Sequence, residues 1–89
     1  MRIEPANDGV HKYIATFGDG TTTRFGAAGM DDYTKTGDKD QRLRYLTRHR
    51  KNENWNNPKS AGALSRYILW GDSTSIATNL AAYKRRFNL

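Results

Sequence analysis

PKSAGALSRYILWG, residues 58–71, is the stretch on which the fold turns, because residues 61–70 carry one charge, Arg66. Asn57 suits an N-cap, Pro58 a first helical turn and Gly71 a C′ position, so the spacing predicts a helix from 58 to about Trp70. At 100° per residue, Ala61, Leu64 and Ile68 fall together. Ala63, Tyr67 and Trp70 widen the apolar arc, and Leu69 falls on the far side. A helix apolar over most of its circumference is buried on more than one side. In 89 residues that makes it either the central element or a face covered by a partner.

Further along, Asp72 or Ser73 suits the cap of a helix over about 74–86. Ile76, Leu80, Tyr83 and Phe87 recur at i, i+4, i+7 and i+11, a one-sided stripe. Lys84, Arg85 and Arg86 close it, where cations complement the helix dipole.

Toward the N-terminus, RLRYLTRHRKNENW (42–55) belongs to a helix starting at Asp38, with Gln41 placed for a capping box. Helical geometry sorts it into three stripes. Leu43 and Leu46 form a thin apolar seam. Arg42, Tyr45 and His49 share a flank. Arg44, Arg48 and Lys51 form a basic outer row, with Arg50 nearby.

The first third reads as strands. GVHKYIATF is β-branched and aromatic, GDG turns the chain, and TTTRFG follows. A two-residue Asp19-Gly20 loop pairs Thr16 with Thr23 and Ile14 with Phe25, leaving Tyr13 and Phe17 on the opposite face. GAAGMDDYTKTGD reads as loop, and polar ends such as MRIEP fray unless held. The fold class expected is therefore α+β: an N-terminal β-hairpin packed on three short α-helices, one small domain over residues 1–89.

Composition narrows the function. There is no cysteine, hence no disulfide and no thiolate ligand. No run approaches the ~18 apolar residues of a membrane span, and the N-terminus lacks a signal-peptide core, so the chain reads as soluble and intracellular. Residues 1–37 hold four basic and five acidic side chains, a net −1; residues 38–89 hold eleven and four, a net +7. A basic half favours an anionic partner. No catalytic motif is present, and the two histidines lie far apart without an evident ligand set, so the expectation is a non-enzyme with no cofactor, no metal and no small-molecule ligand. His49, beside Tyr45, reads as a hydrogen-bonded structural residue.

Two binding surfaces are candidates. Trp55, Tyr67, Leu69 and Trp70 exceed what a hairpin and three short helices need, and Trp and Tyr are enriched at protein–protein hot spots. They are the candidate partner surface. Arg42, Arg44, Arg48, Arg50 and Lys51 are the candidate anion or nucleic-acid surface, and the planar guanidinium fork matches phosphate. No aromatic motif of an RNA-binding sheet and no zinc knuckle accompanies them, so the contact expected is with phosphate rather than bases.

The series Phe25-Gly26, Asp32-Tyr33-Thr34, Arg44-Tyr45, Arg48-His49, Glu53-Asn54-Trp55, Pro58, Ala61-Gly62, Leu64-Ser65, Leu69-Trp70-Gly71 and Phe87 resembles a family of small proteins encoded by large double-stranded DNA viruses of algae and protists. The likeness covers about residues 24–89. It implies a viral origin and carries no catalytic or binding residue with it. With that origin, the first expectation is a minor capsid (cement) protein bound to larger capsid proteins, located in the virion and in the host cytoplasm during assembly. The alternative is a basic protein holding nucleic-acid phosphates non-specifically.

Overall fold

The computed structural model describes residues 1–89, and the fold is α+β: a three-stranded antiparallel sheet followed by helices. Strands β1 (Arg2–Pro5), β2 (His11–Thr16) and β3 (Thr22–Ala27) lie in the order β1-β2-β3. Helices α1 (Tyr33–Thr36), α2 (Lys39–His49), α3 (Ala61–Leu64) and α4 (Ile76–Phe87) follow, and α3 runs straight into a π-helical turn over Ser65–Leu69.

The hairpin register differs from the expected one by one residue. Tyr13 pairs with Phe25, Ala15 with Thr23 and Thr16 with Thr22. The loop has three residues rather than two: Phe17 accepts from Gly20 N–H at 3.0 Å and donates to Thr21 O at 2.9 Å, with Gly20 at φ 85°. This is the turn-plus-bulge solution, in which glycine takes the left-handed position. Because side chains alternate, a one-residue shift changes which ones share a face. Tyr13, Ala15, Phe17 and Phe25 therefore all face the helices, and Ile14 faces outward opposite Arg24. The N-terminal segment is held as β1, with Ile3 opposite Ala15 and packed on the core. A third strand supplies the support a lone hairpin lacks.

The segment read as loop contains α1, one turn capped by Asp32 through Lys35 N and closed by Gly37. Asp38 caps α2 by accepting from Asp40 N and Gln41 N. Gln41 does not complete the box; Thr36 Oγ1 accepts from Asp38 N instead, at 3.2 Å.

The central helix starts three residues later than expected. Asn57 forms a turn, accepting from Lys59 N, and Ser60 is the N-cap. Its second half widens: Trp70 N–H bonds Ser65 O, an i→i+5 step, at 2.9 Å. Such a step winds more residues into each turn than the 3.6 of an α-helix. Leu69, which straight plotting puts on the far side, is thereby turned inward to 2% exposure, beside Leu64 and Ile68 at 0%. The core comprises these residues with Ala15, Phe17, Phe25, Tyr33, Tyr45, Leu46, Trp70 and Tyr83.

Helix α4 presents its stripe as expected, with Tyr83 buried and Ile76, Leu80 and Phe87 packed against the core. Its cap is Ser75, accepting from Thr78 N, rather than Asp72 or Ser73. Asn79 is 3% exposed on its inner side. It donates to Ile68 O (2.8 Å) and Ser73 O (2.7 Å) and accepts from Ser73 N (3.1 Å), satisfying backbone groups freed where the π-turn ends. Gly71 leaves room for this: a Cβ there would stand 2.3 Å from Tyr67 O and 2.7 Å from Asn79 Cγ.

Candidate functional site

Helix α2 has two sides with different work. On its inner side Tyr45 and Leu46 are buried, while Leu43 is 61% exposed and takes no part in the core. The expected Leu43/Leu46 seam is thus rotated toward Tyr45. Tyr45 stacks on Trp70 at 4.2 Å with planes 5° apart, and on its other neighbour His49 at 4.2 Å.

Arg42 belongs to this inner side too. Its Nε donates to Trp70 O (3.1 Å) and Gly71 O (2.9 Å), and its Nη2 bonds Asp72 at 2.8 Å. It caps the C-terminal end of the central helix. The neighbouring Tyr33 ring lies 5.5 Å from its guanidinium carbon.

Beyond α2 the chain folds back through Glu53. His49 Nδ1 lies 2.8 Å from Glu53 Oε1, and the Trp55 indole N–H donates to Glu53 Oε2 at 2.8 Å. Both carboxylate oxygens are occupied. Neither histidine has an evident ligand set in the sequence, yet the i, i+4 spacing of 49 and 53 carries the signal of this pair, hidden because Glu53 lies past the helix end. His11 likewise meets Asp8, at 3.0 Å. No three His, Asp or Glu side chains converge as metal ligands would.

A cavity of about 400 Å³ opens beside these groups, with Tyr45, His49, Trp70 and Leu69 on one side and Lys12, Asp32 and Arg48 among its polar lining. Lys12 is paired there with Asp32 at 2.5 Å. Burial, and after it the charge of Glu53, push the Tyr45 phenol well above its ordinary value.

The outer side of α2 is different. Arg44, Arg48, Arg50 and Lys51 are all exposed, and none has a carboxylate within ion-pair distance. Across the chain, six of the 15 basic residues are so paired: Arg2, Lys12, Arg24, Lys35, Arg42 and Lys59. The nine without a carboxylate are Lys39 and these four, with Arg66, Lys84, Arg85 and Arg86. Acid–base pairing therefore neutralises the sheet and the loops and leaves the positive charge on α2, Arg66 and the end of α4.

The proposed partner residues divide. Leu69 (2%) and Trp70 (7%) lie in the core and present no surface. Trp55 and Tyr67 are half-buried, and both flank Arg66, whose guanidinium carbon is 5.2 Å from the Trp55 ring and 4.7 Å from the Tyr67 ring. The apolar surplus seen in the sequence is consumed internally, because the π-turn and the third strand give it more surface to cover.

A family model, described as a family of unknown function (DUF5754), matches residues 1–49. The chain belongs to this family. The matched part of the DUF5754 chain holds the sheet, α1 and all of α2, and so includes Arg42, Arg44 and Arg48. Arg50, Lys51 and the four aromatic and apolar candidates lie beyond it. No curated protein and no solved structure matches the chain. No helix is long and apolar enough to cross a membrane.

Proposed function

We propose that this chain is a binding protein for nucleic acid, held by phosphate contacts along the outer side of α2. The observation that carries the reading is the unpaired basic row. Arg44 and Arg48 stand one turn apart on α2 and Lys51 follows just beyond its end, with no carboxylate to neutralise them. Arg44 to Arg48 rises about 6 Å along α2, the axial length of roughly two phosphates on one strand of B-DNA, and Lys51 extends the row past the helix end. Arg50, exposed at the C-cap of α2, points to a different side of the helix axis and is not counted in the row. Arg42 is excluded, because its donors are already used inside the fold. Catalysis has less support: the His49–Glu53 pair is held as a structural link to Trp55.

The test is binding to labelled mixed-sequence DNA across salt concentration. Each phosphate neutralised steepens the log–log slope by about 0.9. Charge removal at Arg44, Arg48 and Lys51 together should flatten the slope by nearly three units and weaken binding to all sequences alike. A flat salt response in the unaltered protein removes the reading.

A second reading, a capsid cement in the virion of a large DNA virus, rests on the sequence resemblance and on one structural feature. Leu43, 61% exposed, stands on α2 next to Arg44 and gives that face an apolar contact point. Purified particles would decide it: a cement is present in stoichiometry with the shell proteins, and a few copies per particle would reject it.

A further inference from the structure

We propose a second anion site, separate from the α2 row and independent of the nucleic-acid reading: the cavity between the π-turn and α4 binds a phosphate monoester dianion through Arg66 and Arg86. The cavity measures about 510 Å³, and its wall includes Arg66, Arg85, Arg86, Ser73 and Thr78. That volume exceeds what a bare phosphate fills and leaves room for the group that carries it.

Arg66 is the decisive residue. Its Nε is buried and has no hydrogen-bond partner. Its Nη1 makes one long contact, 3.3 Å, to Trp70 O. No carboxylate lies within ion-pair distance of it. The fold leaves the Arg66 donors largely unfilled, which is costly, and the part of its guanidinium that lines the cavity can offer donors to an acceptor there. The guanidinium is fixed by aromatic contacts instead: Trp55 at 5.2 Å and Tyr67 at 4.7 Å. Tyr67 also holds Arg86, at 4.3 Å. Two cations are thus gathered about one ring.

The helix dipole suits the basic residues at the end of α4 and also the charge of Arg66 in the last turn of the central helix, but it leaves the Arg66 Nε donor unfilled. Burial first, then the charges of Arg42 and Arg86, lower the Arg66 pKa, while Tyr67 and Asp72 act the other way. Asp72 is the one acidic residue in the wall; its carboxylate is 97% exposed and bonded to Arg42. Like charges held together without a neutralising group are relieved by an anion, and a phosphate accepts from planar forks in the geometry arginine offers. Ser73 and Thr78 add hydroxyl donors at the same wall.

The experiment is a two-dimensional NMR titration of the full chain that follows backbone amides and arginine Nε–H groups. The probes are inorganic phosphate and a nucleoside 5′-monophosphate, with a 5′-phosphorylated oligonucleotide against its 5′-hydroxyl form as a third arm. The expected result is a dissociation constant of about 1 mM or tighter for at least one phosphate-bearing probe, with shifts concentrated at Arg66 Nε–H, Ser73, Thr78 and Arg86. The probe that binds tightest identifies the source of the phosphate. Arg66→Gln and Arg86→Gln should each weaken binding of inorganic phosphate and of the mononucleotide about tenfold, and Lys39→Gln, outside both basic sites, should leave it unchanged. Arg86 is exposed, so its variant keeps the test valid if the Arg66 variant loses its fold. For inorganic phosphate and the mononucleotide, absence of shifts at about 10 mM probe, or shifts spread equally over α2 and this cavity, overturns the site.

Discussion

Tyr45 lies flat on Trp70, ring centroids 4.2 Å apart and planes within 5°. One ring comes from α2 and the other from the end of the π-turn, so this stack joins the basic helix to the core. Offset aromatic pairs add roughly 1 kcal/mol beyond the area they bury. Tyr45→Ala should cost about 3–5 kcal/mol in denaturant unfolding, and Tyr45→Phe, which keeps the ring, should cost less than about 1 kcal/mol.

Arg42 and Arg44 are two residues apart and should separate cleanly. Arg42→Ala removes the donors to Trp70 O and Gly71 O and should destabilise by about 1–3 kcal/mol while leaving the salt slope of DNA binding unaltered. Arg42→Lys should recover little, because lysine cannot reproduce the fork. Arg44→Ala should do the reverse: unchanged stability and a slope shallower by about 0.9. Thermal melts and fluorescence anisotropy on the same samples read both quantities.

Asn79 is the polar residue on which the π-turn depends. Asn79→Leu conserves volume but leaves Ile68 O and Ser73 O without their side-chain donor. The expected loss is about 2–4 kcal/mol, read by urea titration, with hydrogen exchange accelerated first over residues 68–73.

Leu43 gives a contrasting outcome. At 61% exposure it buries little, so Leu43→Ser should shift stability by no more than about 0.5 kcal/mol. Leu46→Ser, at 9% exposure, should cost several-fold more. If the cement reading holds, Leu43→Ser alone should lower incorporation into particles.

Alkali should unfold the protein through two phenols. Tyr45 and Tyr83 both have pKa values raised above the ordinary 10.0; burial is the larger cause in each, followed by Glu53 for Tyr45 and Tyr67 for Tyr83. A raised folded pKa means the neutral form is favoured by folding, so the contribution is complete below about pH 10 and is lost as pH rises beyond it. Phenolate absorbance for two of the five tyrosines should therefore appear together with the loss of far-UV circular dichroism. Tyr83→Phe should remove part of this sensitivity, at the expense of the bond its hydroxyl donates to Pro58 O at 2.6 Å.

The α+β class, the positions of α2 and α4, the α4 stripe and the basic residues on the outer side of α2 are all legible in the order of residues alone. These follow from local rules: alternation, helical period, caps and the dipole act over a few residues. Tertiary structure alone decided the hairpin register, the third strand, the π-turn and the fate of the large apolar residues. Ile14 or Tyr13 can face a core with similar local preference, and only the three-residue loop and the pairing with β1 select Tyr13. Leu69 falls on the far side when the helix is drawn with 3.6 residues per turn; the i→i+5 bond from Trp70 to Ser65 turns it inward, where it joins Trp70 in the core. Arg42 and Arg66 look like their exposed neighbours in sequence, yet one caps a buried helix end and the other keeps a donor unfilled, because only packing between distant segments sets which charges find partners.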